Sequence, residues 1–255
     1  MIEDGTRAWL FDTYAWALRR FAPGVLEGER ELVLPTDAFF PDRIESHDHA
    51  AEQMLQRIIQ HSGIGDVTID LFAQEPEVDP AMGHERSGTS LEFLAEWVAD
   101  QETERLALVY NSDLPRRPEL FIAVTAWHIA EVMVEADEIP GGEDYWAHAV
   151  DVATVFMGFG IFMANVSNRF ERISDGDLEG WQRSGFGSLS QIEVLYTLAI
   201  FVRLLGSGEK SALTHLDPKL RGSFERCLAD LASFGDEMAR LRSVGTPTPV
   251  PSADD

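Results

Sequence analysis

Two apolar stretches of the chain carry a histidine and a carboxylate three residues apart. His128 and Glu131 lie in the run 120–135, and His148 and Asp151 lie in the run 145–168. On a helix, a separation of three puts both members of a pair on one face. If the two helices face each other, they offer two imidazoles and two carboxylates, a set that suits zinc, iron or manganese in a helical bundle. The plainer reading of the same residues is a hydrogen-bonded histidine–carboxylate cluster that satisfies itself. Neither reading follows from spacing alone, because both require the stripes to meet.

Other candidates are weaker. His47-Asp48-His49 places two imidazoles close together, but it opens a helical pattern in which Ser46 or Asp48 would cap free backbone N–H groups. His61, His84 and His215 stand alone. Gly158-Phe159-Gly160 lacks the preceding strand and the further glycine of a phosphate loop, and is expected to allow close helix packing. The stretch 185–190 reads as a loop capped at Ser188 or Ser190, and no serine stands in the motif context of a Ser-His-Asp hydrolase.

The elements that must position these residues follow from periodicity. Trp9, Leu10, Thr13, Trp16, Ala17 and Arg20 recur at helical spacing between Thr6 and Phe21, and Pro23-Gly24 ends that element. Residues 31–35 read as a brief strand. Ala50, Ala51, Met54, Leu55, Ile58 and Ile59 give residues 48–61 one apolar face, and Gly63 stops the helix. Val67, Ile69 and Leu71 alternate with polar residues over 66–73, which predicts a strand. A long loop over 74–90, a helical segment over 91–100 and a strand over 105–110 follow. Helices are predicted over 120–135, 145–168, 189–205 and 218–242, the first two separated by Pro140-Gly141-Gly142. Mostly helical with a few short strands means an α+β fold. The stripe on the first central helix is Thr125, His128, Glu131 and Glu135, and on the second Asp144, His148 and Asp151, continuing through Gly158 and Asn165.

Length and composition bound the rest. The chain has 255 residues, of which 45% are hydrophobic, so one packed domain over residues 1–243 is expected, followed by a flexible, Pro-rich acidic tail over 244–255. A formal charge of −24 disfavours nucleic acid and anionic membrane, which need clustered lysine and arginine. It favours a basic partner. The single Cys227 excludes an internal disulfide and points to a reducing cytoplasm. No basic flank precedes an apolar run near Met1, so no signal peptide is expected. The uncharged run 152–168 falls short of a span and reads as a buried core helix.

Several stretches resemble an uncharacterised family of bacterial zincin-like metallopeptidases. They are Leu34-Pro-Thr-Asp-Ala-Phe-Phe-Pro-Asp42, the helix 124–134, the run from Asp151 to Asn165, and Gly180-Trp181 followed by Gly187-Ser-Leu-Ser190. The resemblance implies a zincin-like domain. Family members read A-H-E-L-A-H-V where this chain has Ala126-Trp-His-Ile-Ala-Glu-Val132. In that register Trp127 stands at the first metal-binding histidine, His128 at the glutamate base and Glu131 at the second histidine. The family's downstream E-P-L-T-D meets Ala147-His-Ala-Val-Asp151, so Ala147 replaces the presumed glutamate ligand and Asp151 is kept. An indole does not ligate zinc, and its bulk fills the space of an ion and its water.

The expectation is therefore a degenerate site, Trp127, His128, Glu131, Ala147 and Asp151, with no catalytic residues and no resident cofactor, in a protein that acts by binding a protein or peptide. One alternative is a divergent metallohydrolase that holds zinc or another divalent metal with His128, Glu131, His148 and Asp151. A further alternative is an acidic immunity or inhibitor protein that neutralises a basic partner.

Overall fold

A computed structural model describes residues 2–21, 30–42, 47–65, 68–75, 95–100, 105–134, 139–167, 169–175, 178–184 and 187–244. The expected tail, from residue 245 onward, and His84 with most of the expected loop 74–90 lie outside the described residues.

The architecture is α+β and mostly helical. Helix α1 (Asp4–Phe21) is followed by α2 (His47–Ser62), whose apolar residues Ala50, Ala51, Met54, Leu55, Ile58 and Ile59 are all buried. A small sheet comes next, from β1 (Ile69–Gln74), β2 (Ala95–Asp100) and β3 (Arg105–Asn111). Its order is β1-β3-β2, with β1 parallel and β2 antiparallel to β3. The expected helix over 91–100 is corrected here, since 95–100 is a strand. Its apolar spacing suits either state, and antiparallel pairing with β3 decides it.

Helix α3 (Pro118–Met133) starts with proline in its first turn, where the missing N–H costs nothing. Every residue from Leu120 to Ala130 is buried, so this helix runs through the core. The expected single helix over 145–168 is a rod with a break. Helix α4 (Trp146–Thr154) passes through a π turn (Val155–Phe159) into α5 (Gly160–Val166). Gly158 adopts φ 103°, and a Cβ there would collide with the Glu31 carbonyl. Residues 31–35, read from sequence as a strand, join no sheet among the described residues. They dock on this break, where the Val33 N–H donates to the Gly158 carbonyl at 3.1 Å and Leu32 and Val33 are buried. Gly160 lies tight against Leu198, the close helix packing that the Gly-x-Gly implied. The segment 143–166 is long and apolar enough to cross a membrane, yet 94% of its most apolar window is buried inside this fold.

A hairpin of β4 (Arg169–Asp175) and β5 (Leu178–Ser184), unanticipated from sequence, precedes α6 (Gln191–Leu205). The N-terminus of α6 carries a capping box in which the Ser190 N–H donates to Glu193 Oε2 at 2.7 Å, and Gly206 closes it with φ 68°. Three shorter helices follow, α7 (Glu209–His215), α8 (Pro218–Leu231) and α9 (Gly235–Val244). The expected single helix over 218–242 is thus two, broken at 232–234, and α7 was missed. Helix α6 packs on α8, and α9 packs on α1. Arg7 of α1 ties these ends together. It donates to Tyr196 Oη at 3.2 Å, pairs with Asp230 at 3.4 Å, and lies 4.5 Å over the Phe234 ring.

Candidate functional site

The middle of α3 meets the middle of α4 through one polar contact. Trp127 is 7% exposed, and its indole Nε1–H donates to Asp151 Oδ1 at 2.7 Å. Asp151 is fully buried, and its Oδ2 accepts the backbone N–H groups of Ser188 and Leu189, each at 2.7 Å. The loop can wrap this closely because residue 187 is glycine. Its φ is 81°, and a Cβ would sit 2.6 Å from the carboxylate oxygen. Asp151 therefore joins α3, α4 and the start of α6 through three N–H donors.

Burial pushes the Asp151 carboxyl up to about 7, and the charge of Glu193 adds to the rise, while the donors at Leu189, Trp127 and Ser188 pull the other way. Desolvation is the largest effect, and among the described residues no cation is a cause that offsets it.

His128 is 5% exposed, with Nδ1 2.8 Å from Glu131 Oε2, and its ring meets the Trp127 indole edge-on at 5.3 Å. The hydrogen-bonded histidine–carboxylate reading thus describes this pair. His148, one turn before Asp151, lies against the rings of Tyr145 at 5.7 Å and Trp9 at 6.1 Å. Its buried Nδ1 has no hydrogen-bond partner among the described residues. Ala147 is half-buried in the first turn of α4 and offers only a methyl group.

The structure joins Trp127 with Asp151, and His128 with Glu131, but does not bring His128, Glu131, His148 and Asp151 into one ligand shell. Among the described residues, no group of three or more His, Cys, Asp or Glu side chains is placed to hold a metal ion. The donors present do not fit resident zinc, because both Asp151 oxygens are engaged by N–H groups and the neighbouring ring is an indole. At the other candidate, His47-Asp48-His49, the backbone opens α2. There His49 Nε2 lies 2.9 Å from Gln53 Nε2. His61 Nε2 lies 3.4 Å from the Phe39 carbonyl oxygen.

The backbone cradle at 187–189 escaped the sequence reading, which took 185–190 as a loop capped at Ser188 or Ser190 and as part of the resemblance. A partial signal was present: Gly187, three residues before the N-cap Ser190, allows the left-handed turn from which N–H groups can converge on an anion. Comparison with known proteins gives no match, whether to family models, to curated sequences or to solved structures.

Proposed function

We propose that this chain is a non-catalytic zincin-like protein that acts by binding a protein or peptide partner of basic character. The observation that carries the reading is the Trp127–Asp151 contact. In the register implied by the resemblance, Trp127 stands where the first histidine ligand would be, and its indole is buried against the one acid kept from the downstream motif. A metal-activated water needs an open coordination position and ligands free to bind. Here the carboxylate is spent on N–H donors, and Ala147 leaves no third ligand. The net charge of −24 supports a basic partner. A cytoplasmic setting is part of the proposal, supported by the lone, buried Cys227, whose thiol burial pushes up to about 11 and so leaves inert.

Elemental analysis of the purified full chain tests this, paired with casein hydrolysis with and without a chelator. Far less than one zinc per chain and no chelator-sensitive hydrolysis are expected. Stoichiometric zinc with hydrolysis abolished by the chelator would overturn the proposal in favour of a divergent metallohydrolase.

A further inference from the structure

Between α2 and the outer edge of β1 runs a trough of about 1100 Å³. Among the described residues β1 pairs with β3 alone, and Ile69 to Phe72 of this strand line the trough. Phe72 on this strand is 55% exposed, an apolar side chain left at the surface beside that edge. The facing wall is the polar side of α2, with Glu52, Gln53, Gln56 and Gln60. A second hollow of about 370 Å³ shares Asp42 and Gln53 with the trough. Met54, Ile122 and Phe162 line it together with the carboxylates of Asp37 and Glu119.

Among the described residues the carboxylates outnumber the cations on this joined surface: Asp42, Glu52, Asp37 and Glu119 line it, against the guanidinium of Arg57. That guanidinium is held by Asp42 through two hydrogen bonds of 2.7 and 2.9 Å, which cancels it locally. A second copy of this chain, itself at −24, would be repelled here.

We infer that the trough receives an extended, basic segment of a partner protein, which adds to β1 as a further strand and sets one apolar side chain into the smaller hollow. The inference rests on the binding role proposed above and gives it a location. Strand addition supplies backbone hydrogen bonds without regard to sequence, the hollow selects the apolar anchor, and the carboxylates select lysine and arginine around it.

Selection of a phage-displayed random octapeptide library on the immobilised full chain is the test, followed by fluorescence anisotropy with the recovered peptides. The expected peptides alternate basic and apolar residues. Methylating alternate backbone nitrogens should weaken them about tenfold. So should the exposed substitutions Glu52→Lys with Phe72→Lys, or independently Gln56→Lys with Gln60→Lys on the helix wall. Circular dichroism melts establish that each variant folds. Peptides that bind both variants as tightly as the natural chain would remove the trough while leaving the binding role standing. Acidic peptides, or insensitivity to backbone methylation, would overturn the strand-addition inference. A selection with no binder above background would sink the trough and the binding role together.

Discussion

At the scale of single residues, Asp151 is the group whose environment decides most. Its folded-state value near 7 lies above the ordinary carboxyl value of about 3.9. A carboxyl raised in this way holds its proton more tightly when folded. Its contribution to stability is fully present below about pH 4 and is lost as pH rises through about 7. Urea melts at pH 5 and pH 7.5 should therefore show a pH dependence on the order of a few kcal/mol that Asp151→Asn lacks. The variant should also be less stable at pH 5, because the amide nitrogen accepts no hydrogen bond, whereas both oxygens of a carboxyl, the hydroxyl one included, can meet the N–H donors. Equal pH slopes for the two proteins would show that the fold holds the ionised form instead. The resemblance makes a second expectation at this scale. Trp127→His with His128→Glu and Glu131→His should not bind zinc in an elemental assay, whereas adding Ala147→Glu should give one zinc per chain. Tight zinc binding by the triple variant would show that the assigned register, or the lost third ligand, is mistaken. In the register implied by the resemblance, the Trp127 indole is expected buried beside Asp151 or His148 with its N–H on a polar partner, and Asp151 is that partner. Of the backbone cradle only Gly187 was legible, since main-chain donors leave no further signature in residue types.

At the scale of elements, long periodic helices were readable and interruptions were not. The helices expected over 48–61, 120–135 and 189–205 are found as His47–Ser62, Pro118–Met133 and Gln191–Leu205, with proline and a capping box at the starts of two of them. Residues 95–100 were misread because the apolar spacing suits helix and strand alike, and pairing with β3 supplies what local propensity does not. The β4–β5 hairpin had a usable sign in Gly176-Asp177 between two equal runs, which fits a two-residue hairpin connection. The break at 155–159 is the informative failure. Its helix-forming neighbours hide a glycine at φ 103°, pressed against the Glu31 carbonyl. Gly158→Ala combines a disfavoured backbone with a steric collision and should cost about 2–4 kcal/mol. Thermal melts should fall by several degrees. An unchanged midpoint would mean that the segment 31–35 moves aside easily.

For the whole molecule, charge is the dominant global quantity. With 44 acidic residues against 20 basic ones, self-repulsion opposes compaction at neutral pH. Raising sodium chloride from roughly 10 to 500 mM shortens the Debye length from about 30 Å to about 4–5 Å and should raise the melting midpoint by several degrees. A flat response would show that the acidic groups are spread too widely to repel. This global term was fully visible in composition, whereas the way in which the two ends of the chain meet was not. Arg7 contacts Tyr196 across 189 positions and Asp230 still further along, and Arg240 reaches Asp12 at 3.0 Å. During synthesis, then, the first helix leaves the ribosome with its partner surface unmade. At about 5–20 residues per second, roughly ten seconds or more separate its emergence from that of Asp230. For that interval Phe11 lacks the Phe234 ring and Arg7 lacks the Asp230 carboxylate, so the nascent first helix stays incompletely packed and open to shelter by a chaperone.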